Sequence, residues 1–181
     1  MKKAFRFRVI LDTEEDVVRE LEIFEEDSFE SLHKILLASF GFSATEMASF
    51  YMSNNEWEKG EEITLMNIGS IDEMEEEAGI LSAPMMSNCY LYEYMNGPES
   101  KMIYVFDFLL MWCFYIELIE EFESEDKDLP LCSKEMGKAP KQGDKDPDEM
   151  LLGDAVADET SDIMAGFEED DDESIIDPNQ E

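Results

Sequence analysis

The candidate catalytic side chains of this sequence are His33, Asp107 and Cys132. His33 is the only histidine of the chain, so it is the single candidate for an imidazole general base. One histidine cannot build a His-rich metal site. A helix histidine is more often a structural hydrogen-bonding residue than a catalyst. A grouping of His33, Asp107 and Cys132, which would combine a general base with a nucleophile, is the alternative.

Asp107 lies between Phe106 and Phe108 in an aromatic stretch. This position favours capping of a turn that begins at Leu109. A catalytic carboxylate is the alternative, but a second pocket-facing acid cannot be singled out among 47 acidic residues. The sequence holds no glycine-rich phosphate loop, serine elbow or metalloprotease helix. The residues therefore favour a protein without enzymatic activity, cofactor or metal. An enzyme with a pocket near His33 and Asp107 is the second hypothesis.

The elements that must position these residues begin with a hairpin. Apolar residues occupy every second position over 5–11, a polar turn follows over 12–16, and residues 17–23 alternate less cleanly. A helix follows the hairpin, because Asp27 and Glu30 have capping-box spacing and a glycine supplies a stop signal at the other end. The apolar residues between these signals recur at helical spacing, and they are Phe29, Leu32, Leu36 and Phe40.

Strands are also predicted over 47–52, 102–108 and 114–119. Shorter apolar segments occur at 63–68 and 90–94. Together with the hairpin and the helix, these segments predict an α+β fold. In this prediction a mixed or antiparallel sheet packs on one main amphipathic helix.

Acidic residues dominate the chain, with 47 Asp and Glu against 13 Lys and Arg and a formal net charge of -34. Residues 124–181 hold 20 of the acids, five of the bases and few aromatic residues. A segment of this composition cannot bury enough apolar surface to offset its conformational entropy. We therefore predict one folded domain over 1–123 and an acidic, mostly disordered tail over 124–181.

The charge also limits the partners. Basic residues cluster only in Lys2, Lys3, Arg6 and Arg8, so direct binding to nucleic acid is not expected. The acid excess serves solubility, or it forms a surface for a basic protein partner. No segment has the about 18 to 20 apolar residues that span a bilayer, and three widely spaced cysteines are typical of reduced thiols. The sequence predicts a cytoplasmic protein and leaves its oligomeric state open.

Three blocks of the sequence resemble the plasmid pRiA4b Orf-3-like family, also described as transposon-element passenger proteins. The first block is a leucine-histidine helix that ends in a phenylalanine-glycine-aromatic turn. The second is the strand at 48–51, and the third is an aromatic stretch around an aspartate with a tryptophan a few residues on. The resemblance covers about residues 3–140, weakly after residue 123. Its motif residues in this chain are Leu32, His33, Phe40, Gly41, Tyr104, Phe106, Asp107, Phe108 and Trp112.

Two departures from the family pattern bear on function. Leu109 and Leu110 stand where many members have glycine and aspartate, and Phe114 replaces a histidine that is common after the tryptophan. If this polar cluster carries an activity in relatives, the present chain lacks it. The resemblance implies an α+β domain with mobile-element associations and no assigned reaction. Combined with the charge, it predicts an interaction or adaptor module that binds a basic protein.

Overall fold

Seven strands and two helices form the regular structure of the computed structural model, which describes residues 1–66, 83–125 and 128–145. The strands are β1 (Lys2–Leu11), β2 (Val17–Phe24), β3 (Ala48–Ser53), β4 (Lys59–Thr64), β5 (Lys101–Phe106), β6 (Trp112–Ser124) and β7 (Leu131–Met136), and the helices are α1 (Phe29–Phe40) and α2 (Leu91–Tyr94). The strands form one sheet in the order β4-β3-β5-β6-β1-β2-β7. Each neighbouring pair is antiparallel.

The predicted N-terminal hairpin is confirmed, because β1 pairs with β2 in antiparallel register from Ala4 opposite Phe24 to Leu11 opposite Val17. Alternate residues of β1 are buried, as the apolar pattern requires, and the residues between them are more exposed. The same alternation continues in β2. The hairpin therefore has one apolar face and one polar face.

The helix predicted after the hairpin is present, but its N-cap differs from the prediction. Ser28 is the cap, and its side chain accepts a hydrogen bond from the backbone N–H of Ser31 at 3.3 Å. Asp27 instead accepts from the N–H of Phe24 at 3.2 Å, so it caps the preceding turn. Gly41 ends the helix with a φ of 73°, a left-handed conformation that glycine adopts without steric cost.

The core lies on one side of the sheet, which we call the inner face. Helix α1 packs here through its apolar side, on which Leu32 and Phe40 are buried. Aromatic rings join the helix to the sheet: the Phe40 and Phe114 centroids are 5.0 Å apart, and those of Phe29 and Phe50 are 5.2 Å apart. Edge-to-face pairs of this kind each add about 0.5–1.5 kcal/mol beyond their buried area.

The predicted α+β class, with a sheet packed on one main amphipathic helix, is wrong. In the described part of the chain the fold is mostly β, because one antiparallel sheet of seven strands stands beside helices of twelve and four residues. Neither β4 nor β7 was predicted as a strand from the sequence, because both carry few apolar residues. An edge strand needs no continuous apolar face, so its pattern is weak.

Strand β7 lies within residues 124–181, the range in which the sequence predicted the acidic tail. It pairs with β2, with Glu20 opposite Lys134 and Leu21 opposite Cys132. The predicted disorder of the remaining tail concerns residues 146–181, which lie outside the described residues. Within the described ranges, neither helix has the length and apolarity required to cross a membrane.

Candidate functional site

The family-motif histidine lies in the core. His33 on α1 is 2% exposed, and its Nδ1 lies 2.6 Å from the hydroxyl oxygen of Tyr104 on β5. Tyr104 is fully buried, with its ring centroid 4.6 Å from that of Phe50 and 5.5 Å from that of Phe114. The two motif positions His33 and Tyr104 thus form one hydrogen-bonded pair that ties helix α1 to the sheet.

Burial determines the protonation of this pair. It lowers the pKa of His33 to about 4, because a charged imidazole would lose its hydration in the core. For the same reason it raises the pKa of Tyr104 well above its ordinary value. Both groups are therefore neutral near pH 7. A general base works best when its pKa is near the operating pH, so His33 is poorly matched to that role.

Asp107 organises the turn from β5 to β6. Its Oδ1 accepts hydrogen bonds from the backbone N–H groups of Leu109 at 3.1 Å and Leu110 at 3.2 Å. Its φ is 58°, a left-handed conformation that aspartate tolerates because its short side chain bonds locally. Its own N–H donates to the carbonyl of Met47 at 2.8 Å. The carboxylate of Asp107 therefore caps and stabilises the turn from β5 to β6.

A segment after β7 covers the motif tryptophan. The indole Nε1 of Trp112 donates to the carbonyl of Gln142 at 3.1 Å. The side-chain oxygen of Gln142 accepts from the N–H and the hydroxyl of Ser43 at 2.8 and 2.9 Å. The ammonium of Lys145 lies 5.2 Å from the centroid of the Trp112 ring. Residues 139–145, which we call the strap, thus join the turn after α1 to the start of β6.

The aromatic motif residues meet beneath the strap. The ring of Phe42 lies 5.0 Å from that of Trp112 and 6.2 Å from those of Phe106 and Phe114, measured between centroids. Phe106 and Phe114 are fully buried. Phe108 differs from them, because its side chain is 41% exposed at the tip of the turn. Most of the motif therefore builds the core and the turns around it.

His33, Asp107 and Cys132 are not brought together as a catalytic grouping. Cys132 lies on β7, whereas Tyr104, the partner of His33, lies on β5, four positions away in the sheet. At about 4.8 Å for each strand spacing, this separation is about 19 Å along the sheet. Three cavities of about 370, 290 and 380 Å³ are lined by residues other than these three. Over the described ranges, no group of three His, Cys, Asp or Glu could hold a metal ion.

Arg19 is a buried cation that the sequence reasoning did not single out. It is 4% exposed, and its guanidinium donates to the carbonyls of Ser39 at 2.9 Å, Val18 at 2.8 Å and Met136 at 3.0 Å. The guanidinium carbon lies 4.9 Å from the ring centroid of Phe40. Arg19 therefore links the end of α1 to the end of β7. Its position among alternating buried residues of β2 was the available signal.

The N-terminal basic cluster is matched by glutamates. Each of its four cations forms an ion pair with a neighbouring strand or turn, which reduces the positive field that a phosphate backbone would meet. The pairs are Lys2 with Glu26 at 2.7 Å, Lys3 with Glu25 at 4.0 Å, Arg6 with Glu22 at 3.0 Å and with Glu120, and Arg8 with Glu20 at 3.4 Å.

Charges alternate across the opposite side of the sheet, which we call the outer face. In one row of directly opposed residues, five strands contribute a basic and an acidic side chain in turn. The row runs from β7 to β5 through Lys134, Glu20, Arg8, Glu117 and Lys101. Opposed charges across antiparallel strands stabilise the register.

The comparisons with known proteins agree with this architecture. A family model described as plasmid pRiA4b ORF-3-like protein matches residues 3–160, which confirms the resemblance predicted from the three motif blocks. The chain is similar in fold to the crystal structure of MM3350, a protein of unknown function from Methanosarcina mazei Go1, with a TM-score of 0.62 and 18% sequence identity. That similarity covers 84% of this chain and 82% of the other. No curated protein matches the chain.

Proposed function

The chain belongs to the plasmid pRiA4b ORF-3-like family, and we propose that this member is a non-enzymatic interaction module whose acidic surface binds a basic protein partner. The observation that carries the proposal is the pairing of the N-terminal cations with glutamates. With those cations engaged, the charge left to attract a partner is negative.

The charge of residues 1–145 supports the proposal without residues 146–181. Residues 1–145 hold 32 of the acids and all 13 of the lysines and arginines, which gives a formal charge of -19. A surface of one dominant sign accelerates association with a partner of opposite sign and repels partners of like sign. A basic protein satisfies this condition, whereas a nucleic acid does not.

The polar motif residues support a non-enzymatic role because each has a hydrogen-bond partner inside the fold. His33 bonds Tyr104, and the carboxylate of Asp107 bonds two backbone N–H groups of its own turn. An enzyme with a pocket near His33 and Asp107 stays a prediction with no supporting contact in the described residues. A cytoplasmic location also stays a prediction.

The test is a capture experiment from a nuclease-treated native lysate at low and high salt. The full chain is compared with a chain that ends at Lys145, because a shorter truncation near Glu123 would remove β7 and two carbonyl partners of Arg19. We expect a basic protein to be retained at low salt and released at high salt, since salt screens exposed charges. Weaker retention by the shorter chain would assign part of the attraction to the 15 acids of residues 146–181.

A matched control removes cations in place of acids. Arg6→Gln and Arg8→Gln each make the chain more negative, so the proposal predicts retention equal to or stronger than that of the unchanged chain. A partner that is held equally well at high salt, or that is lost when Arg6 is neutralised, would overturn the proposal.

A further inference from the structure

The strap, residues 139–145, runs outside the helices and strands and is held to the fold by few side chains. Its hydrogen bonds to the rest of the described chain involve Gln142 and Lys145. The bonds from Ser43 to Gln142 lie at exposed positions, and Ala139 packs only partly buried against the core. A segment with little apolar burial and solvent-exposed hydrogen bonds opens at a lower free energy than the core.

The strap is also loosely packed toward the β1–β2 turn. A cavity of about 370 Å³ is lined by strap residues 139–141 together with Glu14 and Glu15 of that turn. Within the strap, the N–H of Lys141 donates to the carboxylate of Asp144 at 3.1 Å, and the N–H of Asp144 donates back to the Lys141 carbonyl at 3.0 Å. The strap thus keeps its own turn and leaves an unfilled space beside it.

Gly137 fixes the point from which the strap departs. Its φ is 76°, and a Cβ at this position would meet the carbonyl oxygen of Asp16 at 2.1 Å. The carbonyl of Gly137 also accepts from the buried guanidinium of Arg19 at 3.3 Å. The backbone up to Gly137 therefore stays on the sheet when the strap beyond it opens.

Opening of the strap would uncover a site with three donors, one acceptor and two aromatic rings. The donors are the indole N–H of Trp112 and the N–H and hydroxyl of Ser43. The acceptor is the carbonyl of Met111, which receives the ammonium of Lys145 at 2.7 Å. The rings of Trp112 and Phe42 are 3% and 6% exposed under the strap. Unpaired polar groups beside apolar rings are costly, so the uncovered site favours a ligand that offers the same groups.

We propose that the strap is a displaceable cover and that an extended, lysine-bearing segment of the basic partner takes its place on Trp112. This inference rests on the proposed function and names the site and the segment through which the partner binds. The strap itself shows the chemistry of the fit. It offers a backbone carbonyl to the indole N–H, an oxygen to Ser43 and an ammonium 5.2 Å from the centroid of the Trp112 ring. A basic segment supplies backbone carbonyls and a lysine cation for the same contacts.

Displacement has a cost, and this cost gives the proposal a distinctive sign. While the strap is closed the site is unavailable, so the apparent affinity is reduced by the fraction of molecules that are open. A substitution that weakens the strap without changing its charge must therefore strengthen binding. Attraction to the acidic surface alone predicts no change for such a substitution, because the charges stay the same.

The test is calorimetric titration of the full chain with an acetylated pentalysine amide at low and high salt. Gln142→Ala removes the acceptor of both Ser43 bonds and leaves the net charge unchanged. Its matched control is Asn96→Ala, which removes an exposed carboxamide before β5. Lys145→Gln removes the cation that the strap places on the site, and Lys141→Gln removes the same charge elsewhere on the strap.

We expect Gln142→Ala to bind pentalysine about three- to five-fold more tightly than the unchanged chain, and Asn96→Ala to differ from it by less than about 1.5-fold. Lys145→Gln should strengthen binding about three-fold more than Lys141→Gln does. If binding is salt-dependent but Gln142→Ala and Asn96→Ala bind equally tightly, the strap site is wrong while the acidic-surface proposal survives. If neither the unchanged chain nor Gln142→Ala binds at low salt, both are wrong.

Hydrogen exchange in low concentrations of urea measures the opening by itself. The chain has two tryptophans, and Trp57→Phe assigns the indole N–H signal of Trp112. We expect its exchange rate to be nearly independent of urea, because opening of the strap exposes little surface. The backbone N–H of Tyr104 on the interior strand β5 should exchange faster as urea is added. An equal dependence at both positions would show that the strap opens only with the sheet, which would overturn the proposal.

Discussion

The inner and outer faces of the sheet use the same strands for different purposes. On β1, Phe7 and Val9 are fully buried on the inner face, whereas Arg8 between them joins the row of alternating charges on the outer face. The inner face carries the family-motif pair His33 and Tyr104. The outer face carries ion pairs that water also contacts.

This difference separates the residues that hold the fold from those available to a partner. Motif residues such as Tyr104 and Phe106 are fully buried, so their substitution changes stability before it changes any surface. The charged residues on the surface contribute little stability individually, because exposed ion pairs are worth about 0–1 kcal/mol. We therefore expect stability and partner binding to respond to different sets of substitutions.

The largest expected effect is in the aromatic core. Phe114→Ala removes a fully buried ring that contacts Phe40, Phe42 and Tyr104, and we expect the free energy of unfolding to fall by about 3–5 kcal/mol. Glu117→Ala on the outer face of the same strand is the control, with an expected loss below about 1 kcal/mol. Urea unfolding measures both. Equal losses would remove the distinction between the two faces.

A second comparison uses one arginine from each face. Arg19→Met removes a buried guanidinium and leaves three carbonyls, including that of Ser39, without their donor, so we expect a loss of about 2–4 kcal/mol. Arg8→Met removes an outer-face cation of similar length, and its expected loss is below about 1 kcal/mol. Urea unfolding measures the loss in free energy of unfolding for both variants. A small effect at Arg19 would show that its carbonyl bonds are replaced by water.

The third prediction concerns pH. His33 has a pKa of about 4 in the folded chain against an ordinary value of 6.5, so the unfolded chain binds more protons between these values. The contribution of His33 to the free energy of unfolding is therefore complete above about pH 6.5. It falls as the pH drops toward 4, by up to about 3 kcal/mol.

Because the chain has one histidine, its imidazole signal in a proton NMR titration measures this pKa without ambiguity. His33→Gln is the control for unfolding, since the acid-dependent loss between pH 6.5 and 4 should be smaller in that variant. An imidazole pKa near 6.5 in the folded chain would contradict the burial of His33.

The smallest effect separates a turn cap from a catalytic acid. Asp107→Asn keeps an oxygen acceptor for Leu109 and Leu110 and tolerates a positive φ, so we expect a loss below about 1 kcal/mol. Asp107→Ala loses both bonds and puts alanine in a left-handed conformation, with an expected loss of about 2 kcal/mol. Thermal unfolding measures the pair. Should Asp107→Asn abolish an activity while remaining folded, the turn-capping role would be incomplete.

The parts of the fold that depend on local patterns were predictable from the sequence. Alternation fixed the hairpin of β1 and β2, and Gly41 marked the end of α1. The fold class was not predictable in this way. Strand β7 is a mostly exposed edge strand, and its place beside β2 depends on long-range pairing that no local pattern reports. Helix α2 has a single turn, too short for helical periodicity to identify.

The sequence predicted which residues belong to the candidate site, but not which of them contact one another. The motif residues named from the sequence lie in the core or in the turns around it, but the sequence could not show that His33 pairs with Tyr104. Residues 33 and 104 are far apart in the sequence, and they meet because α1 packs on β5. Arg19 was not singled out because an arginine is rarely fully buried, although its spacing placed it on the same face as Leu21 and Ile23.

The most direct test of the division between the two faces measures stability and partner retention in parallel. One variant is His33→Gln, and the other replaces the exposed acids Glu14, Glu15, Glu121 and Glu123 with glutamine. We predict that His33→Gln is less stable but retains the basic partner at low salt, whereas the glutamine variant keeps its stability and retains less of the partner. Loss of the partner by a folded His33→Gln chain, with full retention by the glutamine variant, would contradict the account.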